Sequence, residues 1–106
     1  MWMWYSLDKE NNPVVCGDMG HYMAWAENNQ SQKIVKQDRI GDISVSTVFL
    51  GLDHSFSTPR NNPILWETMI FGGEFDQYMD RYSSYEDALK GHETAMKLVN
   101  KNTEIK

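Results

Sequence analysis

Cysteine is nearly absent from this chain. Cys16 is the only one among 106 residues, so no disulfide can close within the chain and no cysteine zinc site can be built. Such usage fits a reducing compartment, and with no neighbour that would depress its pKa, Cys16 reads as a small apolar residue rather than a nucleophile. Long apolar runs are missing too. None approaches the ~18 residues that cross a bilayer, and the opening MWMWYSLDKE lacks the basic flank and unbroken apolar stretch of a secretory signal, which places the chain by expectation in the cytoplasm. Positive charge is scarce: 10 Lys and Arg stand against 15 Asp and Glu, a formal charge of -5. Without a basic stripe to displace counterions, general nucleic-acid binding is disfavoured, and the scattered carboxylates do not form the dense rows of a DNA mimic. A local pocket for a small anion around Arg39, Arg60 or Arg81 stays open. The three histidines show no H-x-x-x-H or H-E-x-x-H spacing, so neither a metal nor a cofactor is expected.

What is present is the composition of an ordinary folded domain, 41% hydrophobic and 24% charged, of a length that suits one domain over 1–106. The aromatic segment Trp2 to Ser6 and the segment Pro13 to Cys16 flank a polar turn and predict a hairpin. Trp2 and Trp4 share one face of that first strand, placing them in a core or a dimer contact. Asp18 is placed as a helix N-cap, with Met19, Tyr22, Met23 and Ala26 at helical spacing, so a short helix is predicted to about Asn28. The polar cluster 28–32 then connects onward.

Lys33 to Ile40 and Ile43 to Leu50 flank Gly41-Asp42 as a second hairpin. Ile43, Val45 and Thr47 alternate with serines, and the apolar run Val48 to Leu50 predicts a central strand covered on both faces. Residues 51–63 read as a long irregular loop. Ile64 to Phe71 is the strongest strand signal, Gly72-Gly73 breaks it, and Phe75 to Tyr82 is a candidate edge strand. Ser83 and Glu86 have capping-box spacing, and Tyr85, Ala88, Leu89, His92, Ala95, Met96 and Val99 trace one helical stripe. A polar tail follows from about residue 100. The fold class predicted is α+β: an antiparallel sheet of about five strands with two α-helices, in the order ββα-βββ-α.

Chemistry-bearing residues gather between Ile43 and His92. Asp53-His54 follows a buried strand and opens the long loop, where functional groups commonly project; the competing reading is an Asp that only bonds its own turn. Glu67 shares a strand face with Leu65, Met69 and Phe71, so its carboxylate must be paired, protonated or aimed at a polar partner, and Arg81 is the natural partner. His92 lies on the apolar stripe of the last helix and reads as a satisfied core histidine. His21 and Trp25, one turn apart, read as a packing pair. Gly72-Gly73 has no P-loop lysine and opens no helix, and no nucleophile elbow or Ser/His/Asp set is identifiable. The candidate ligand-binding set is therefore Asp53, His54, Glu67 and Arg81, with no residue assigned a catalytic role.

The segments VSTVFLGLDHSF (45–56) and WETMIFGGEFDQYMDRYSSYEDALKGHE (66–93) resemble a family of small proteins of tailed phages and prophages. The resemblance covers roughly the C-terminal half; the first forty residues match only loosely. It implies a phage-encoded accessory protein acting in the host bacterial cytoplasm. Small phage proteins of this kind often counter host defence by sequestering a nucleotide-type signal or by occluding a defence protein, as anti-CRISPR proteins do. On that basis the expected activity is binding of a small anionic or nucleotide-like ligand by a homo-oligomer. Inhibition of a host protein is the alternative, and a small hydrolase using His54 and Glu67 is a third reading.

Overall fold

A polar turn folds the aromatic first segment back on itself. The Asp8 carboxylate accepts from the backbone N–H groups of Glu10 and Asn12, both at 2.9 Å, and so closes the turn between β1 (Tyr5–Leu7) and β2 (Pro13–Val15), an antiparallel pair. The computed structural model describes residues 3–53 and 63–104, with side chains up to residue 100. Helix α1 (Met19–Asn28) starts where its cap predicts: Asp18 Oδ1 accepts from His21 N–H at 2.9 Å. The same oxygen lies 2.8 Å from His21 Nδ1, so His21 belongs to the cap and not to a packing pair with Trp25. Trp25 packs instead on Tyr22 and, edge-on, on Phe49. The polar cluster after α1 does more than connect, since Gln30–Lys33 forms a single turn, α2.

A four-stranded antiparallel meander follows, in the order β3 (Ile34–Ile40), β4 (Ile43–Phe49), β5 (Trp66–Phe71), β6 (Met79–Tyr82). The period-2 alternation sets its two faces. Val45, Thr47 and Phe49 of β4 and Trp66, Thr68 and Ile70 of β5 are buried on one side. Gly72 and Gly73, at φ 92° and 71°, turn the chain from β5 towards β6, and a Cβ on Gly72 would stand 2.7 Å from the Asp42 carbonyl oxygen. Together the two sheets and the helices make the α+β class expected; the observed order is ββ-αα-ββββ-α, the expected ββα-βββ-α with the single turn α2 and one further strand added.

Helix α3 (Tyr85–Glu104) lies on the buried face. Its cap is Ser84, whose Oγ accepts from Asp87 N–H at 3.0 Å, one residue later than the Ser83 spacing indicates. The helix also runs through Glu104, beyond the fraying expected after Val99; the 100–104 segment contains neither Gly nor Pro, so nothing in it breaks a helix once packing has nucleated one. Two apolar clusters hold α3 down. Leu7, Tyr22, Ala26, Phe49, Leu65, Trp66 and Ala88 form one, and Val45, Ile70, Ala95 and Val99 the other. No helix is long and apolar enough to cross a membrane among the described residues.

Contact between α3 and β6 depends on a missing side chain. A Cβ at Gly91 would overlap the phenol of Tyr82, whose ring and hydroxyl occupy that space. Gly91→Ala is therefore expected to destabilise the protein by about 1–3 kcal/mol through overpacking, read as a lowered urea midpoint, and Tyr82→Ala in the same chain should recover part of the loss. A second expectation concerns acid. Hydrogen bonds from the Asn12 and Glu10 backbones hold the Asp8 carboxyl below its ordinary value, and those from His21 do the same for Asp18. Groups with lowered folded-state pKa stabilise above their unfolded pKa and lose that contribution as pH falls through the folded one. Amide protection factors, exchange rates taken relative to the intrinsic rate at each pH, should thus fall in the 8–12 turn and the first turn of α1 below about pH 4, the ordinary carboxylate range, ahead of those in the sheet.

Candidate functional site

Three of the four residues singled out by sequence are described, and His54 lies outside the described residues. Asp53 closes the base of the long loop: its Oδ1 accepts from Ile64 N–H at 2.9 Å and its own N–H donates to the Met3 carbonyl at 3.1 Å. It thereby ties both ends of the loop to the N-terminal strand segment. Glu67 and Arg81 are direct cross-strand partners in the β5–β6 register, with Arg81 Nε 2.9 Å from Glu67 Oε2. The Glu67 side chain is 13% exposed and that of Arg81 34%. Pairing answers the question Glu67 raises on an otherwise apolar strand face.

That pair stands on the sheet face opposite α3. Register lays this face out in rows: Arg39, Ser44 and Phe71; then Gln37, Ser46, Met69 and Met79; then Val48, Glu67 and Arg81. Gln37 Nε2 donates to Ser46 Oγ at 3.2 Å, confirming that these side chains emerge together. The central strands were expected to be covered on both sides, but among the described residues no helix packs on this one. Phe71 and Met79 are 43% and 49% exposed on it. Serines on β4 and the Glu67–Arg81 pair make a second apolar layer unnecessary, which explains the difference from the reading of Val48 to Leu50.

Arg39, Ser44, Ser46, Gln37 and Phe71, with Asp38, line a shallow depression of about 360 Å³ at one end of the face. Arg39 Nε–H is held by the Gly41 carbonyl at 3.0 Å, which fixes the guanidinium plane and leaves its terminal N–H groups to face outward. Two of the chain's three arginines therefore lie on the open face. Arg39 is a sequence candidate for a small anion, but nothing in the sequence connects it with Phe71. Only the β3–β4–β5 register brings the two into one row.

A second polar constellation lies on the helix side. His92, fully buried, has Nδ1 2.7 Å from Thr47 Oγ1 and Nε2 2.7 Å from Asp38 Oδ2, and Thr47 Oγ1 in turn is 2.5 Å from Thr68 Oγ1. Carboxylate, imidazole and hydroxyl in line resemble a nucleophilic triad in composition. The hydroxyl, however, is completely buried between Thr68 and the imidazole, with both of its neighbours already bonded. The arrangement satisfies an interior histidine, as the sequence predicted for His92. Its partners were not foreseen, because strand threonines and a strand aspartate carry no signal of what helix will cover them. Among the described residues there is no group of three or more His, Cys, Asp or Glu that could hold a metal ion.

Comparison with family models, with curated proteins and with solved structures finds no match for the chain.

Two substitutions separate the two sites. Thr47→Val leaves His92 Nδ1 and the Thr68 hydroxyl short of a partner in the interior and is expected to cost about 1–3 kcal/mol. Arg81→Ala removes a partly exposed ion pair and should cost about 1 kcal/mol or less. Equilibrium urea unfolding of the two variants checks the ordering.

Proposed function

We propose that this chain is a phage-encoded accessory binding protein that holds a small nucleotide-type ligand on the open face of its sheet and so withdraws a signal from host defence. The observation that carries the reading is the row Arg39, Ser44 and Phe71, beside Gln37 and Ser46, in a depression of about 360 Å³. An outward guanidinium suits a phosphate, a half-exposed aromatic ring offers a face for stacking a base, and serine and glutamine side chains can read polar edges. Arg81, balanced by Glu67, extends the same face as a neutral ion pair. The phage origin rests on the resemblance of the C-terminal half.

Exposed Phe71 and Met79 on that face also favour a second reading, in which a host defence protein is the partner. Thermal unfolding against a panel of mono-, cyclic and dinucleotides distinguishes the two. Sequestration predicts a melting temperature that rises with one class of nucleotide, by mass action equivalent to about 2.7 kcal/mol at a hundredfold excess over Kd. Arg39→Ala and Phe71→Ala should abolish the rise, and heat-denatured protein should release the nucleotide intact. A melting temperature unchanged across the panel, together with a stable complex captured from host lysate and lost in Phe71→Ala, would replace ligand binding by protein inhibition.

A further inference from the structure

We propose that the outer edge of β3 is the interface of a two-fold homodimer, in which β3 of a second copy adds antiparallel and joins the two four-stranded sheets into one. β3 stands at the end of its sheet, seven residues long and hydrogen-bonded on one side only, to β4. It contains neither Gly nor Pro to spoil a further pairing.

Strand parity decides which backbone groups are on offer. Leu50 N–H donates to the Leu65 carbonyl at 2.6 Å, so the even-numbered residues of β4 bond to β5 and the odd-numbered ones to β3. Their partners Lys36, Asp38 and Ile40 therefore bond inward, and Gln37 and Arg39 turn N–H and C=O away from the sheet. An antiparallel neighbour bonds to these.

Charge selects both the neighbour and its register. Lys36 and Asp38 stand opposite Thr47 and Val45, which are buried beneath α3, so the two charges share the helix side of the edge. Asp38 Oδ2 lies 2.7 Å from His92 Nε2, whereas Lys36 is exposed and has no partner among the described residues. With the two-fold axis at Gln37, that residue exchanges both backbone bonds with its own copy, and Lys36 of each chain faces Asp38 of the other. Such a non-hydrogen-bonded pair brings Cα atoms to about 4.5 Å, where opposite charges attract and like charges repel. Axes at Lys36, Asp38 or Arg39 would each set that residue against itself, a like-charge clash. Only the Gln37 register is complementary, and an amide there both donates and accepts.

One flank of α3 overhangs the same edge. His92 reaches Asp38 of β3, while Gly91, on the other flank, faces Tyr82 of β6. Leu89, three residues before His92, lies on the β3 flank and is 37% exposed. Both copies of α3 fall on one side of the joined sheet, and each Leu89 turns toward the axis. The opposite side keeps Arg39, Ser44 and Phe71 open, so the dimer goes beyond the ligand reading and does not need it. Pairing over one edge strand buries less than the roughly 1,200 Å² at which stable interfaces begin, so the dimer is weak and concentration-dependent.

Sedimentation velocity and amide exchange on the full chain, from about 10 μM to about 1 mM, test the interface. The expected mass rises with concentration to twice that of the chain. Over the same range the Gln37 and Arg39 amides gain protection, while those of Lys36 and Asp38, bonded to β4, are protected throughout. Lys36→Glu, at an exposed side chain, should weaken the dimer about tenfold at an unchanged melting temperature of the dilute protein. A mass that stays at one chain, a dimer whose Gln37 and Arg39 amides exchange as freely as in the monomer, or one of full strength in Lys36→Glu would each overturn the proposal.

Discussion

One imidazole organises the interface on which the rest of the molecule depends. His92 on α3 reaches three strands at once, bonding Asp38 of β3 and Thr47 of β4 and, through Thr47, Thr68 of β5. With Nε2–H donating to the carboxylate, Nδ1 accepts from Thr47, which accepts from Thr68, so every hydrogen-bonding group in the line has a partner. Such an array tolerates little displacement. Sliding α3 along the sheet would strand an imidazole and two hydroxyls in the interior, a larger penalty than sliding one apolar layer over another.

Position within the core explains why polar groups are tolerated there. Along β4, Thr47 sits between Val45 and Phe49; along β5, Thr68 sits between Trp66 and Ile70; along α3, His92 sits between Ala88 and Ala95. The network is thus a polar layer between the two apolar clusters, one gathered around Trp66 and Phe49 and the other around Ile70 and Val99. Apolar packing supplies the stabilisation, and the layer between supplies register. Gly91 and Tyr82 add a steric stop one residue away from His92, where the helix comes closest to β6.

Rigidity on the helix side frees the other face of the same strands. Because α3 is seated by His92 and the two clusters, the opposite face can carry serines, an ion pair and exposed Phe71 and Met79 without being needed for the core. Rows of side chains on a fixed pleat are well suited to recognition, since neighbouring strands hold them about 5 Å apart. Asp53 contributes differently from what its loop position indicates: by accepting from Ile64 N–H it ties together the chain on either side of the loop.

Much of this was legible in the residues themselves. Alternation in ISVSTVF, the Asp18 cap, the stripe of α3 and the inward-facing His92 are local properties, written in side-chain period and capping chemistry, and they need no knowledge of what lies across the fold. The need of Glu67 for a cationic partner was legible for the same reason, since a carboxylate on an apolar face has few alternatives. Tertiary structure alone decided which groups meet. Asp38 and His92 are 54 positions apart, Thr47 and His92 45 apart, and Arg39 joins Phe71 only through the pairing of three strands. Contacts of that kind depend on strand order and helix placement, which follow from the summed burial of the whole chain and leave no mark at any single position.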